Sequence, residues 1–305
     1  TPSAASDVFA INTTGTNDSP DNNFTVGFDP DLSLNTQTNG NQRYLVSRLL
    51  GNGTIKANDN TAVNNISDAS FFGNPSGTID LNTNFWGTAS NVISWAWKRA
   101  RGYFDVVAYT GTGSATTVTH NLGVAPEMMW IKKRSGSNNW KTFHSSLGAT
   151  KSMELNTNVG AETNGSALFN STAPTASVFT VGSAGDVNSS SHTYIAYLFA
   201  TVAGVSKVGS YTGDGNTGKQ IDCGFTSGAS FIMIKRADST GNWFVWDSAR
   251  GIISGNDPYL IFNDTDAEVT SGDNVDPHDA GFIVNGPGNN VDGATHIFYA
   301  IAATS

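Results

Sequence analysis

Apolar residues along this chain fall in short runs cut by Gly, Asn, Asp and Ser, and no long stretch carries the three- and four-residue spacing of an amphipathic helix. The pattern predicts an all-β protein. Its clearest strand is "NVISWAWKRA", where Ile93, Trp95 and Trp97 alternate with Ser94 and Ala96, a large apolar face backed by a small one. The run "YIAYLFA" at 194–200 is apolar throughout, which predicts burial on both sides. Segments 106–109, 128–132, 140–143, 153–155 and 178–181 predict further strands. Six or more short strands per hundred residues suggest β-sandwiches of jelly-roll type.

The pattern repeats. "YTGTG" begins at Tyr109 and "YTGDG" at Tyr211, 102 residues on. "WIKKR" ending at Arg134 is echoed by "MIKRA" ending at Ala237, Asn139-Trp140 by Asn242-Trp243, "SSLG" at 145–148 by "SARG" at 248–251, and "VFTVG" at 178–182 by "GFIVN" at 281–285. "YIAYLFA" is answered by "HIFYAIA" at 296–302. Ile93, Trp95 and Trp97 stand the same 102 residues before Ile195, Tyr197 and Phe199, and "SRLLG" at 47–51 extends the likeness. Three tandem β units follow from these offsets. They span residues 1–101, 102–204 and 205–305, the first divergent in its front half and read as either truncated or a cap or junction.

The repeat also explains a misleading motif. Gly213, Gly215 and Gly218 have the G-x-G-x-x-G spacing of a dinucleotide-binding turn, but no helical pattern follows them. The sister loop "YTGTGSAT" lacks the third glycine, so the spacing reads as a strand-to-strand turn.

The tandem landmarks "YTG-x-G", "WIKxR", "NW", "S-x-x-G", "FTVG" and "TYIAYLFA", with "FDVVAYTG" opening one unit, resemble a repeat domain of uncharacterised function in tail-associated and tail-fibre structural proteins of marine bacteriophages. The likeness is strong from about residue 70 onward and weak before it. It implies a non-enzymatic virion component on the particle exterior, a tail fibre or tail-associated appendage contributing to host attachment. Its implied partners are other virion proteins and further copies of itself, a homotrimer as in most such fibres, with host-surface polysaccharide contacted through polar loops. Two alternatives stay open: a capsid-decoration or tail-hub protein binding only virion subunits, and a carbohydrate-binding or depolymerase module.

Charge narrows the partners. A net charge of −9 argues against a broad nucleic-acid surface. The basic cluster "WIKKR" at 130–134 reads as a guarded edge strand. No run is long and apolar enough to span a membrane, and Cys223, alone, reads as a small buried thiol.

Chemistry is sparse. The five histidines have no partners at zinc spacing and read as surface or strand-end residues, no pair of carboxylates can be nominated for glycoside hydrolysis, and neither metal nor cofactor is expected. The acidic loops at 28–32, 263–268 and 272–279 have calcium-like composition without a calcium-loop spacing, and read as solvated turns. Trp140, Trp243, Trp246 and Trp86 remain as candidate ligand-binding residues, since "SNNWKTFH" and "STGNWFVWD" have the composition of a sugar platform. The recurrence of Trp140 as Trp243, and Phe143 standing where the other copy has Trp246, favour core positions over a sugar platform.

Overall fold

A computed structural model describes residues 1–13, 23–66, 71–72, 77–80 and 91–304. The first unit contains β1 (Phe9–Asn12), β2 (Asn23–Thr25), β3 (Leu32–Gln37), β4 (Tyr44–Ser47), β5 (Gly53–Lys56), β6 (Asn64–Asn65), β7 (Thr78–Asp80) and β8 (Val92–Trp97). The second contains β9 (Phe104–Thr110), β10 (Thr116–Thr119), β11 (Met128–Lys133), β12 (Lys141–His144), β13 (Lys151–Glu154), β14 (Glu162–Thr163), β15 (Val178–Val181) and β16 (Thr193–Phe199). The third contains β17 (Ser206–Thr212), β18 (Lys219–Asp222), β19 (Ala229–Arg236), β20 (Trp243–Asp247), β21 (Leu260–Ile261), β22 (Val275–His278), β23 (Gly281–Val284) and β24 (Thr295–Ala302).

Each unit is a sandwich of one large and one small antiparallel sheet. The large sheets run β1-β8-β3-β4-β5-β6, β14-β13-β12-β11-β16-β9 and β17-β24-β19-β20-β21. The small ones pair β2 with β7, β10 with β15, and β23 with both β18 and β22. The all-β expectation is met, and the first unit has the same strand order as the second, while the third has five strands in its large sheet and carries β22 in its small one. The first unit is divergent in sequence and complete in architecture.

The large sheets turn one face to a common centre. A single apolar core takes Ile93, Trp95 and Trp97 from the first unit, Ile195, Tyr197 and Phe199 from the second, and Ile297, Tyr299 and Ile301 from the third. Trp97 meets Phe231 edge-on at 5.7 Å, and Phe199 meets Tyr299 at 5.1 Å, so rings interlock across unit boundaries. The opposite face of each large sheet packs under its small sheet: Met129, Ile131, Tyr194, Ala196 and Leu198 lie with Val118, Phe179 and Val181. That is why "YIAYLFA" is apolar throughout, since period-two alternation sends its side chains into two different cores. The units are tandem in sequence and closed into a ring in space.

Two expectations fail here. The "WIKKR" run is no edge: β11 lies between β12 and β16, and Trp130, Ile131 and Lys132 are fully buried. The histidines do stand at strand ends, but their surface placement fails, because His144 and His296 are fully buried and His120 nearly so. Cys223 is buried, and its burial pushes the thiol pKa up to about 12. The glycine motif is a turn: Gly215 and Gly218 adopt φ of 71° and 84°, and strand β18 follows.

The connections between units share one end of the strands. Ala100 bridges to Phe104 and Val202 to Ser206 in matching tight turns. Gly102 lies beside Thr1 and Val202, while Ser3 to Ser6, Gly204, Ala303 and Thr304 line one cleft. Both chain ends therefore meet at the pole where the linkers cross, and the β3–β4, β11–β12 and β19–β20 hairpin loops form the other pole.

Candidate functional site

The seams between units are built from equivalent residues. Strand pairing aligns Tyr44, Lys141 and Phe244, and opposite them Lys56, Glu154 and Ile261, so Arg43, Trp140 and Trp243 occupy one position in the three units. Trp140 donates its indole N–H to the Lys56 carbonyl and Trp243 donates to the Glu154 carbonyl, each at 2.9 Å. Arg43 closes the ring by donating from Nε and Nη2 to the Ile261 carbonyl at 3.3 and 3.2 Å.

A buried cation accompanies each seam. Thr36, Lys132 and Lys235 are equivalent, each opposite the corresponding isoleucine of the neighbouring strand. Lys132 Nζ donates to the Asn60 and Asn138 carbonyls at 3.0 and 2.8 Å, and Lys235 Nζ to those of Asn158 and Gly241. Burial lowers both amine pKa values to about 8. In the first unit Thr36 leaves this work to Arg43, whose Nη1 reaches Thr36 Oγ1 and the Asn41 carbonyl and whose Nη2 reaches the Asp266 carbonyl at 2.8 Å. Backbone bonds Val63 to Arg134, Ala161 to Ala237 and Glu268 to Thr38 complete the three seams.

These contacts decide the fate of the predicted tryptophans. Trp140 and Trp243 are 0% and 1% exposed and hold seams, so neither has a face for a sugar. Trp246 is fully buried beside Phe244 and Tyr259. The ligand-binding reading of these three is corrected to a packing role. Trp86 lies outside the described residues.

The polar residues are largely occupied with structure. Asp247 accepts from Trp95 Nε1 at 3.2 Å and pairs with Arg250 at 2.7 Å, while Arg250 also reaches Glu268 at 3.1 Å. Lys141 pairs with Glu154 at 2.6 Å. Glu127 accepts from the Thr201 amide. In the acidic loops Asp31 accepts from the Arg99 amide, Asp264 from the Thr265 amide, and Asp273 and Asp276 both accept from Asn285 Nδ2. Among the described residues no three His, Cys, Asp or Glu side chains group as a metal site, and no helix is long and apolar enough to cross a membrane.

An open groove in the third unit was missed by sequence reasoning. It lies at the mouth of the third sandwich between β17 and β18, with a volume of about 540 Å³, lined by Lys207, Gly209, Tyr211, Lys219, Gln220 and Phe298 among others. Gly209 is its floor: a Cβ there would come within 2.5 Å of the Phe298 ring, which lies across the backbone. In the second unit the equivalent pair is Val107 opposite Ala196, so bulk has moved from one strand to the other. That reciprocal exchange was readable in the aligned repeats once the strand register was known.

No curated protein and no solved structure matches the chain. A family model described as a domain of unknown function (DUF7483) matches residues 4–304 in a single span that takes in all three units. The chain belongs to that family.

Proposed function

We propose that the chain is a non-enzymatic structural protein of a phage virion, a tail fibre or tail-associated appendage that contributes to host-surface attachment. What supports this reading is the tandem set of landmarks that resembles tail-associated repeat domains, of which Trp140 and Tyr197 are seam or core positions. A ring closed around a shared apolar core is suited to a rigid cap on a particle exterior, because opening one unit exposes the apolar faces of the other two. Its partners are then other virion proteins, and its receptor a surface polysaccharide. The groove holds a single carboxylate, Asp222, where glycoside hydrolysis in its usual form needs two, so binding is favoured over cleavage.

The test is a cryo-EM reconstruction of the assembled particle that traces this chain. Copies projecting from the tail support the reading. Copies flat on the capsid lattice or sealed inside a hub overturn the attachment role.

A further inference from the structure

We infer that the groove between β17 and β18 is a binding site for an acidic oligosaccharide, with Lys207 and Lys219 receiving its carboxylates. The inference rests on the attachment reading and names the ligand class.

The walls supply the chemistry. β17 runs Lys207, Gly209, Tyr211 along one face, the same face on which Tyr211 stacks against His296, 5.0 Å between centroids. β18 faces it with Lys219 and Ile221, and Gln220, Ser210 and Thr212 offer hydrogen bonds at the rim. Among the described residues Lys207 makes no ion pair, while Lys219 holds only the exposed Asp214, at 3.3 Å. An amine on each wall, with the Phe298 ring and the glycine backbone between them, matches a chain of sugar rings that has apolar faces and carries carboxylates. The groove's volume lies within the range of ordinary ligand clefts, roughly 300–1,000 Å³.

The second unit is an internal control. At the places of Lys207, Gly209 and Lys219 it carries Asp105, Val107 and Thr116, and Asp105 is already paired with Arg99 at 2.6 Å. The two lysines and the open floor are thus absent from the second unit. An added peptide strand fits less well, because the outward amide of Val208 on the β17 edge is already taken by Thr201 Oγ1 at 3.1 Å. Nucleic acid is disfavoured by the net charge of −9, which opposes an extended polyphosphate more than a short ligand with few charges.

The experiment is titration calorimetry of the full chain with oligogalacturonate, beside neutral dextran oligosaccharides of the same length and an acidic heptapeptide. Oligogalacturonate should bind, weaken with added salt, and lose at least tenfold in affinity in Lys207→Gln and Lys219→Gln, while Lys133→Gln leaves it unchanged. Both groove lysines are half-buried, and an unaltered melting curve separates loss of binding from loss of fold. Equal binding by wild type and both groove variants, preference for dextran, or binding of the peptide alone overturns the site. These outcomes leave the attachment reading standing, whereas a chain found inside the particle removes that reading without changing a measured affinity.

Discussion

Arg43 and Trp140 occupy the same place in successive units, and each sends an N–H to the backbone carbonyl of a strand in the preceding unit of the ring. The two side chains reach one end by different physics. Burying a tryptophan removes on the order of 200 Å² from water, about 5 kcal/mol in gross transfer free energy. Arg43 gains less from apolar area and makes bonds to Thr36, Asn41, Ile261 and Asp266 instead. It combines the indole and ammonium roles that Trp140 and Lys132 divide between them.

Removing that guanidinium should therefore be costly. Arg43→Met leaves the carbonyls of Asn41, Ile261 and Asp266 without their donor and should lower unfolding free energy by about 3 kcal/mol in urea titration. Arg43→Trp and Thr36→Lys should each destabilise alone. Combined, they recreate the pair used by the other two units, and the double-mutant cycle should show favourable coupling above about 1 kcal/mol. Simple additivity would mean that the seams are not interchangeable.

Stability should rise with pH above about 8. Burial lowers the Lys132 and Lys235 pKa values from 10.5 to about 8, so between those limits the unfolded chain binds more protons than the folded one. Unfolding free energy then increases with pH across this window, opposed in part by ionisation of the unfolded Cys223 thiol near pH 9 and then of unfolded tyrosines near pH 10, because buried Cys223, Tyr197 and Tyr299 keep their protons when folded. Chemical denaturation at pH 7.5, 8.5 and 9.5 checks this, and Lys132→Met with Lys235→Met should flatten the curve.

Gly209 and Phe298 should behave as a unit. Gly209→Val forces a branched side chain into the Phe298 ring and should cost about 1–3 kcal/mol. Adding Phe298→Ala, which copies the Val107 and Ala196 arrangement, should recover most of the loss. Paired melting curves of the single and double variants decide it.

The closed ring predicts tolerance of a new starting point. A permutant that joins Thr304 to Thr1 through a short Gly-Ser linker and opens the chain at the exposed Gly204 should fold with the parent's circular dichroism spectrum. An unfolded permutant would show that the order of synthesis matters to closure.

Much of this architecture was legible in the residues. The offsets of 102 and 103 gave the strand register, and the rows Ile93, Ile195, Ile297 and Trp95, Tyr197, Tyr299 proved to be equivalent core positions. Ring closure was not legible, because "YIAYLFA" announces two buried faces without saying what covers them. The front of the first unit was obscured because Thr36 and Arg43 replace a lysine and a tryptophan, a change that erases the sequence signal and keeps the bond pattern. Lys132 misled for a related reason: its charge is caged by backbone carbonyls, which no composition rule registers. The groove escaped notice because it is defined by a missing side chain at Gly209.

The meeting of both chain ends at the pole of the linkers has a mechanical consequence. Tension applied through the two ends does not cross the body. It bears on the one seam that has no covalent linker, between the third unit and the first, and peels that seam open bond by bond. A molecule held by either end alone carries no tension through its core, and its hairpin loops point away from the tether. The ring is thus strong as a cap and weak as a link in a chain.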